Sequence, residues 1–181
     1  MRTIGSVALA VLTACASSNA PSPNTRANET IRISTQTGAT ATMRMAPSVT
    51  TSTLTLPVAL DRVWAILPEA YDSVGITVSD LDPRRHVVGH SGLTVRRRLG
   101  KVALSRYLDC GSSQLGPSAD EYQINLAVMS SVQARSGDTT VVTTNVDATG
   151  TGLQFSGQSV RCTSRGELEK RIHELVRQLS G

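Results

Sequence analysis

The sequence predicts an α+β domain in which an antiparallel sheet packs against two helices. Apolar and polar residues alternate through residues 29–56, 76–99 and 122–148. Two other stretches, 58–74 and 165–179, repeat apolar residues at helical spacing. The strands come in neighbouring groups rather than alternating with helices, which favours antiparallel pairing with the helices on one face.

Residues 29–34 and 41–45 alternate, and the stretch between them contains Gly38, so they read as a β-hairpin. Residues 49–56 are Thr-rich, with Leu54 and Leu56 in alternation, and form a third strand. Leu60, Val63, Trp64, Leu67, Tyr71 and Val74 share one face of a helix over 58–74. Pro68 inside it predicts either a kink or a break into two pieces. Gly75 suits the left-handed position after the last turn, with Ile76 folding back.

Residues 76–81 and 86–90 read as short strands joined by an Asp82-Pro83 turn. Gly89 and Gly92 predict a bend before another strand over 93–99. Residues 109–118 read as a loop. Residues 122–132 and 139–148 form the longest strand pair, joined through Gly137-Asp138. The last helix spans 165–179, with Ser164 and Glu167 in capping-box spacing. Its stripe is Leu168, Ile172, Leu175, Val176 and Leu179, and His173 reads as a surface partner of Glu169.

Composition narrows the function classes. Only five of 181 residues are aromatic, too few for a base-stacking or sugar-stacking surface, so no nucleic-acid partner is expected. No apolar run reaches the ~18–20 residues of a membrane-spanning helix. Charge is unevenly spread. Residues 83–108 hold Arg84, Arg85, Arg96, Arg97, Arg98, Lys101 and Arg106, and none of the 14 acidic residues. Such a segment fits an acidic protein surface or anionic headgroups; it equally fits a solvated strand face in a chain with 16 Arg and two Lys.

The N-terminus carries the most specific signal. Met1-Arg2 is a short positive start, residues 4–12 are a short apolar core, and Leu12-Thr13-Ala14-Cys15 follows. A Leu, two small residues and a Cys resemble the bacterial lipobox. The resemblance implies that residues 1–14 are a lipoprotein signal peptide and that acylated Cys15 anchors the chain in a membrane. Ala16 in place of Asp implies transport to the outer membrane, where the domain is expected to face the periplasm. Residues 15–28, rich in Ser, Asn and Pro, read as a flexible tether. The domain then covers 29–181, with 29–48 an additional hairpin and 49–181 the core. In an exported chain, Cys110 and Cys162 read as a disulfide. A metal pair or redox pair is the alternative, but there is no CxxC and no His beside either Cys.

The run Leu56-Pro57-Val58-Ala59-Leu60-Asp61-Arg62-Val63-Trp64-Ala65-Ile66-Leu67 is similar to the opening strand and helix of helix-grip domains. These occur in the START-like superfamily and in the lipoprotein accessory subunits of the outer-membrane β-barrel assembly machinery. The second likeness, shared also by lipobox, tether and domain order, implies a non-enzymatic envelope protein that binds another envelope protein. The first implies a carrier of a small apolar ligand or lipid, with Trp64 and Tyr71 lining the pocket. Without a pocket, both are core.

Catalytic motifs are not found. Gly89-His90-Ser91-Gly92 lacks the final Gly of a nucleophile elbow, because Leu93 stands there. His86 and His90 could share a strand face, but two ligands make no metal site. No phosphate loop or dinucleotide fingerprint is present, so neither enzyme activity nor a cofactor is expected.

Overall fold

The computed structural model describes residues 29–34, 40–45, 50–152 and 159–181. Residues 1–28, where the sequence predicts a signal peptide, an acylated Cys15 and a tether, lie outside the described residues.

In chain order the elements are β1 (Glu29–Ser34), β2 (Thr40–Met45), β3 (Thr50–Leu56), α1 (Leu60–Val74), β4 (Asp80–Asp82), β5 (Val87–Arg96), β6 (Arg98–Leu99) and β7 (Val102–Ala103). There follow α2 (Leu104–Tyr107), β8 (Leu108–Asp109), β9 (Ser112–Ser113), β10 (Gly116–Pro117) and α3 (Ser118–Glu121). β11 (Gln123–Ala134), β12 (Thr140–Thr151), β13 (Ser159–Ser164) and α4 (Glu167–Ser180) complete the chain. The class is α+β with an antiparallel sheet, as the sequence predicts. β1 and β2 pair antiparallel with each other.

The main sheet runs β7-β6-β5-β11-β12-β13-β8. β3 pairs with the first half of β12, and β13 with its second half, on the same side. β11 and β12 form twelve-residue strands in unbroken register. Because side chains alternate between faces, that register puts Ile124, Leu126, Val128, Ser130 and Val132 on the same face as Val142, Thr144, Val146 and Ala148. α1 lies over β5 and β11, and α4 over β12 and β3. The opposite face carries Thr51, Thr53, Thr55, Asn145 and Asp147 and stays in contact with solvent.

α1 is one continuous helix. Pro68 sits inside it, so the Trp64 carbonyl loses its N–H partner without the helix dividing. Burial of Val63, Leu67, Ala70, Tyr71 and Val74 holds it against the sheet despite that loss. Gly75 takes φ 85°, and the Gly75 and Ile76 N–H groups donate to Asp72 and Tyr71 carbonyls at 2.9 and 3.0 Å. This is the predicted left-handed cap, and Ile76 is fully buried.

Several elements depart from the sequence reading. Residues 76–79 are not strand; only Asp80–Asp82 pairs with β5. The two predicted strands around Gly89 and Gly92 are a single strand, β5. Its register to β11 shifts between His90↔Val128 and Leu93↔Leu126, so Ser91 and Gly92 form a bulge opposite one residue. The bulge is held by Asp80, whose Oδ2 accepts from the Ser91 N–H at 2.7 Å. Hydrogen bonds from Ser79 and then Ser91 keep the Asp80 carboxyl below its ordinary pKa. Two one-turn helices, α2 and α3, occupy stretches too short to show helical periodicity. Ser164 and Glu167 do not form a capping box, because Gly166 at φ 80° precedes the first turn.

The Cys110–Cys162 disulfide is present and ties the loop after β8 to β13.

Gly89 pairs with Met129 on β11. A Cβ there would overlap the Val128 carbonyl oxygen and approach the Met129 Cα to 2.9 Å. Both obstacles include backbone, which cannot swing aside. Gly89→Ala is therefore expected to lower stability by about 2 kcal/mol in urea unfolding. Unchanged stability would contradict this strand packing.

Candidate functional site

Three features carry chemistry: a buried chain of hydrogen bonds, a basic hairpin, and a cleft beside α4.

The buried chain was not predicted. The Tyr71 hydroxyl lies 2.9 Å from Ser130 Oγ, which lies 2.7 Å from Thr144 Oγ1. Thr144 Oγ1 in turn lies 3.0 Å from His173 Nε2. Ser130 and Thr144 are directly opposed across β11 and β12, so the chain runs from α1 along the inner face of the sheet to α4. His173 is thus not the surface partner of Glu169 that i,i+4 spacing suggested; it is 6% exposed. Glu169 is fully buried, with the Ser164 hydroxyl 2.8 and 3.0 Å from its two carboxylate oxygens. A readable signal existed. Glu169, Ile172, His173, Val176 and Ser180 form an i, i+3, i+4, i+7, i+11 series on the buried stripe. Ser130 and Thr144 fall on the buried beat of their strands.

Burial sets the protonation of these groups. It raises the Tyr71 pKa, which the Ser130 hydrogen bond only partly offsets. It lowers that of His173 to about 4, assisted by Arg177. It raises that of Glu169. Each shift follows from the cost of charge away from water. With Ser130 and Thr144 0% exposed, no substrate reaches the chain, and its chemistry is cohesion between layers.

The surroundings are filled. Val63, Leu67, Tyr71, Ile124, Val142, Val146, Ile172 and Val176 have no accessible surface. A void wide enough for water among them would leave some surface accessible, so a ligand between helices and sheet would have to displace side chains. Tyr71 is core. Trp64 is half-buried at the margin, its ring edge-on to His86 at 5.4 Å. His90 Nδ1 meets the Thr77 carbonyl at 2.9 Å. Among the described residues there is no cluster of three or more His, Cys, Asp or Glu suited to a metal.

The basic segment, continuous in sequence, is divided in space. Arg84 and Arg85 lie in the β4–β5 turn, where Asp82 Oδ1 accepts from both backbone N–H groups and Arg85 pairs with the Asp82 carboxylate at 3.5 Å. Arg96, Arg97, Arg98 and Lys101 lie at the far end of β5, about 30 Å away at ~3.3 Å per residue. All four are exposed. Among the described residues none of them pairs with a carboxylate; Arg98 donates only to the Lys101 carbonyl, at 3.4 Å. Arg97 takes φ 61°, a conformation that suits Gly better than Arg.

Arg106 is separate again. It lines a cleft of about 340 Å³ between α2 and α4. Val102 and Tyr107 supply its apolar surface, Arg106, Lys170 and Arg171 its cations, and Glu167 and Glu174 its anions. Val102 also belongs to β7, so the cleft adjoins the basic hairpin. No helix among the described residues is long and apolar enough to cross a membrane.

The shifted imidazole has a measurable consequence. Neutral His173 in the folded chain contributes stability above pH 6.5, and this is lost as pH falls from about 6.5 toward 4. Alone it amounts to about 3 kcal/mol, partly offset because Glu169 takes up a proton more readily when folded. His173→Gln keeps a group able to bond Thr144 but does not titrate. Its urea midpoint should fall less between pH 7 and pH 4.5 than that of the parent chain; equal falls would contradict a buried neutral imidazole.

No protein-family model and no curated protein matches this chain.

Proposed function

We propose that this chain is a lipid-anchored bacterial envelope protein, without catalytic activity, that binds another envelope protein. In this reading residues 1–14 are removed, acylated Cys15 holds the chain in the outer membrane, and the domain stands in the periplasm on the 15–28 tether. The disulfide is consistent with an oxidising compartment.

One observation carries the choice of contact surface. Arg96, Arg97, Arg98 and Lys101 crowd the short turns that flank β6, and among the described residues no carboxylate neutralises them. Like charges held together cost folding energy. Arg97 adds strain of about 1 kcal/mol, because a side chain in the left-handed region is disfavoured. Arg at a position suited to Gly points to a use for the side chain itself. An acidic face on a partner would meet four cations at once, with exposed Val102 beside them as an apolar contact.

Replacing Arg96, Arg97 and Arg98 with Ser together should abolish crosslinked recovery of one dominant protein from the native envelope. Unchanged recovery would overturn the assignment of the contact. Arg97→Gly separates binding from folding: it should weaken capture while leaving urea stability equal or up to about 1 kcal/mol higher.

The anchor is tested separately. Cys15→Ser should leave the signal segment uncleaved and the protein without acyl mass in mass spectrometry. A parent chain whose mature N-terminus lies elsewhere, without lipid, would overturn it.

A further inference from the structure

β3 is the exception among the edges of this sheet. Exposed edges invite pairing with other chains, and proteins blunt them with charge, short length, bulges or proline. The other edges here carry such devices. β4 has three residues, two of them Asp80 and Asp82. β7 has two residues and follows Lys101 directly. β13 is partly covered by β8 and carries Arg161, which pairs with Asp147 of β12 at 3.3 Å. β3 has seven residues, Thr-Thr-Ser-Thr-Leu-Thr-Leu, in regular register with β12. It has no charge, bulge or proline, and no charged residue occurs anywhere from 45 to 60. Among the described residues its backbone pairs only with β12.

We infer that the free edge of β3 pairs antiparallel with β3 of a second copy of this chain, joining two sheets into one across a two-fold axis. The argument for a second copy is self-complementarity. Centred on Thr53, the two-fold pairing sets Thr53 against Thr53, Thr51 against Thr55, and Ser52 against Leu54. Residues one face apart never meet, because each pair joins positions of the same parity. Leu54 and Leu56 therefore stay on the helix-covered side of both sheets, and the three odd-numbered Thr side chains form a continuous polar ladder outside. A charge near the axis of a self-pairing edge is brought close to a like charge, and β3 has none. An edge built for a charged partner strand would gain from a complementary charge instead. This inference is independent of the basic hairpin, which lies at the other side of the sheet, beyond β5.

The test uses the full chain. Thr53 is exposed and lies on the proposed axis, so Thr53→Cys should give a disulfide-linked dimer on mild oxidation, with position 53 joined to position 53 in peptide mass spectra. Thr51→Cys should form such a self-link at about one-tenth the yield, yet crosslink to a Thr55→Cys chain when the two are mixed. In sedimentation equilibrium the parent should associate. Thr53→Lys, which sets two cations face to face, should weaken association about tenfold or more with an unchanged circular dichroism spectrum. A parent that is monomeric at its highest soluble concentration would overturn the inference. So would a dimer unaffected by Thr53→Lys, or a position 53 that crosslinks to β1, β2 or another envelope protein in place of its own copy. Thr53→Cys keeps the test valid should Lys disturb the strand.

Discussion

The structure depends on satisfying a few polar groups inside an aliphatic core. Tyr71, Ser130, Thr144 and His173 are all buried, and each would be costly without a partner. They partner one another, and no buried polar side-chain atom among the described residues is left unpaired. The arrangement constrains every layer. Ser130 and Thr144 meet only in the observed register of β11 and β12. A slip of one residue between the strands would turn one of the two hydroxyls to the outer face and bring the wrong side chains of that strand inward. Tyr71 and His173 then set how α1 and α4 are rotated over that pair. Hydrophobic burial supplies most of the driving force, but it is non-directional. The hydroxyl–imidazole chain supplies direction.

A closed and satisfied interior bears on function. The side chains around the chain have no accessible surface, so a bound ligand there would have to rearrange the core. What remains accessible is the exterior: a basic hairpin, a cleft beside α4 and an uncharged strand edge. The hairpin and the edge run against what folding alone would favour. The hairpin gathers like charges and holds Arg97 in a left-handed conformation. The edge lacks the protection given to its neighbours. A domain that works by contact would place its unusual features on the surface.

Much of the fold was legible because its signals are local. The β11–β12 pair showed unbroken alternation, the Gly75 cap a known sequence pattern, and α4 a regular stripe. The cysteines could be paired once export was read from the N-terminus. What escaped depended on tertiary context. His173 and Glu169 looked like a surface pair because they are charged types at i,i+4 spacing. Their burial requires Ser164 and Thr144, and Thr144 lies beside His173 only once α4 packs on β12. The bulge at Ser91 looked like an interruption between strands because its stabilising carboxylate, Asp80, lies eleven residues earlier. The basic segment looked like one patch because sequence proximity hides the length of β5. As a ten-residue strand, β5 carries Arg84 and Arg96 to opposite ends.

That separation offers the most direct measurement of the functional account. A photo-crosslinking residue would be placed at position 97 in one chain and at position 84 in another, each expressed in its native envelope. The account predicts one dominant adduct from position 97 and little from position 84, since only the hairpin meets the partner. Equal adducts from both positions, or none from 97, would contradict docking through the hairpin.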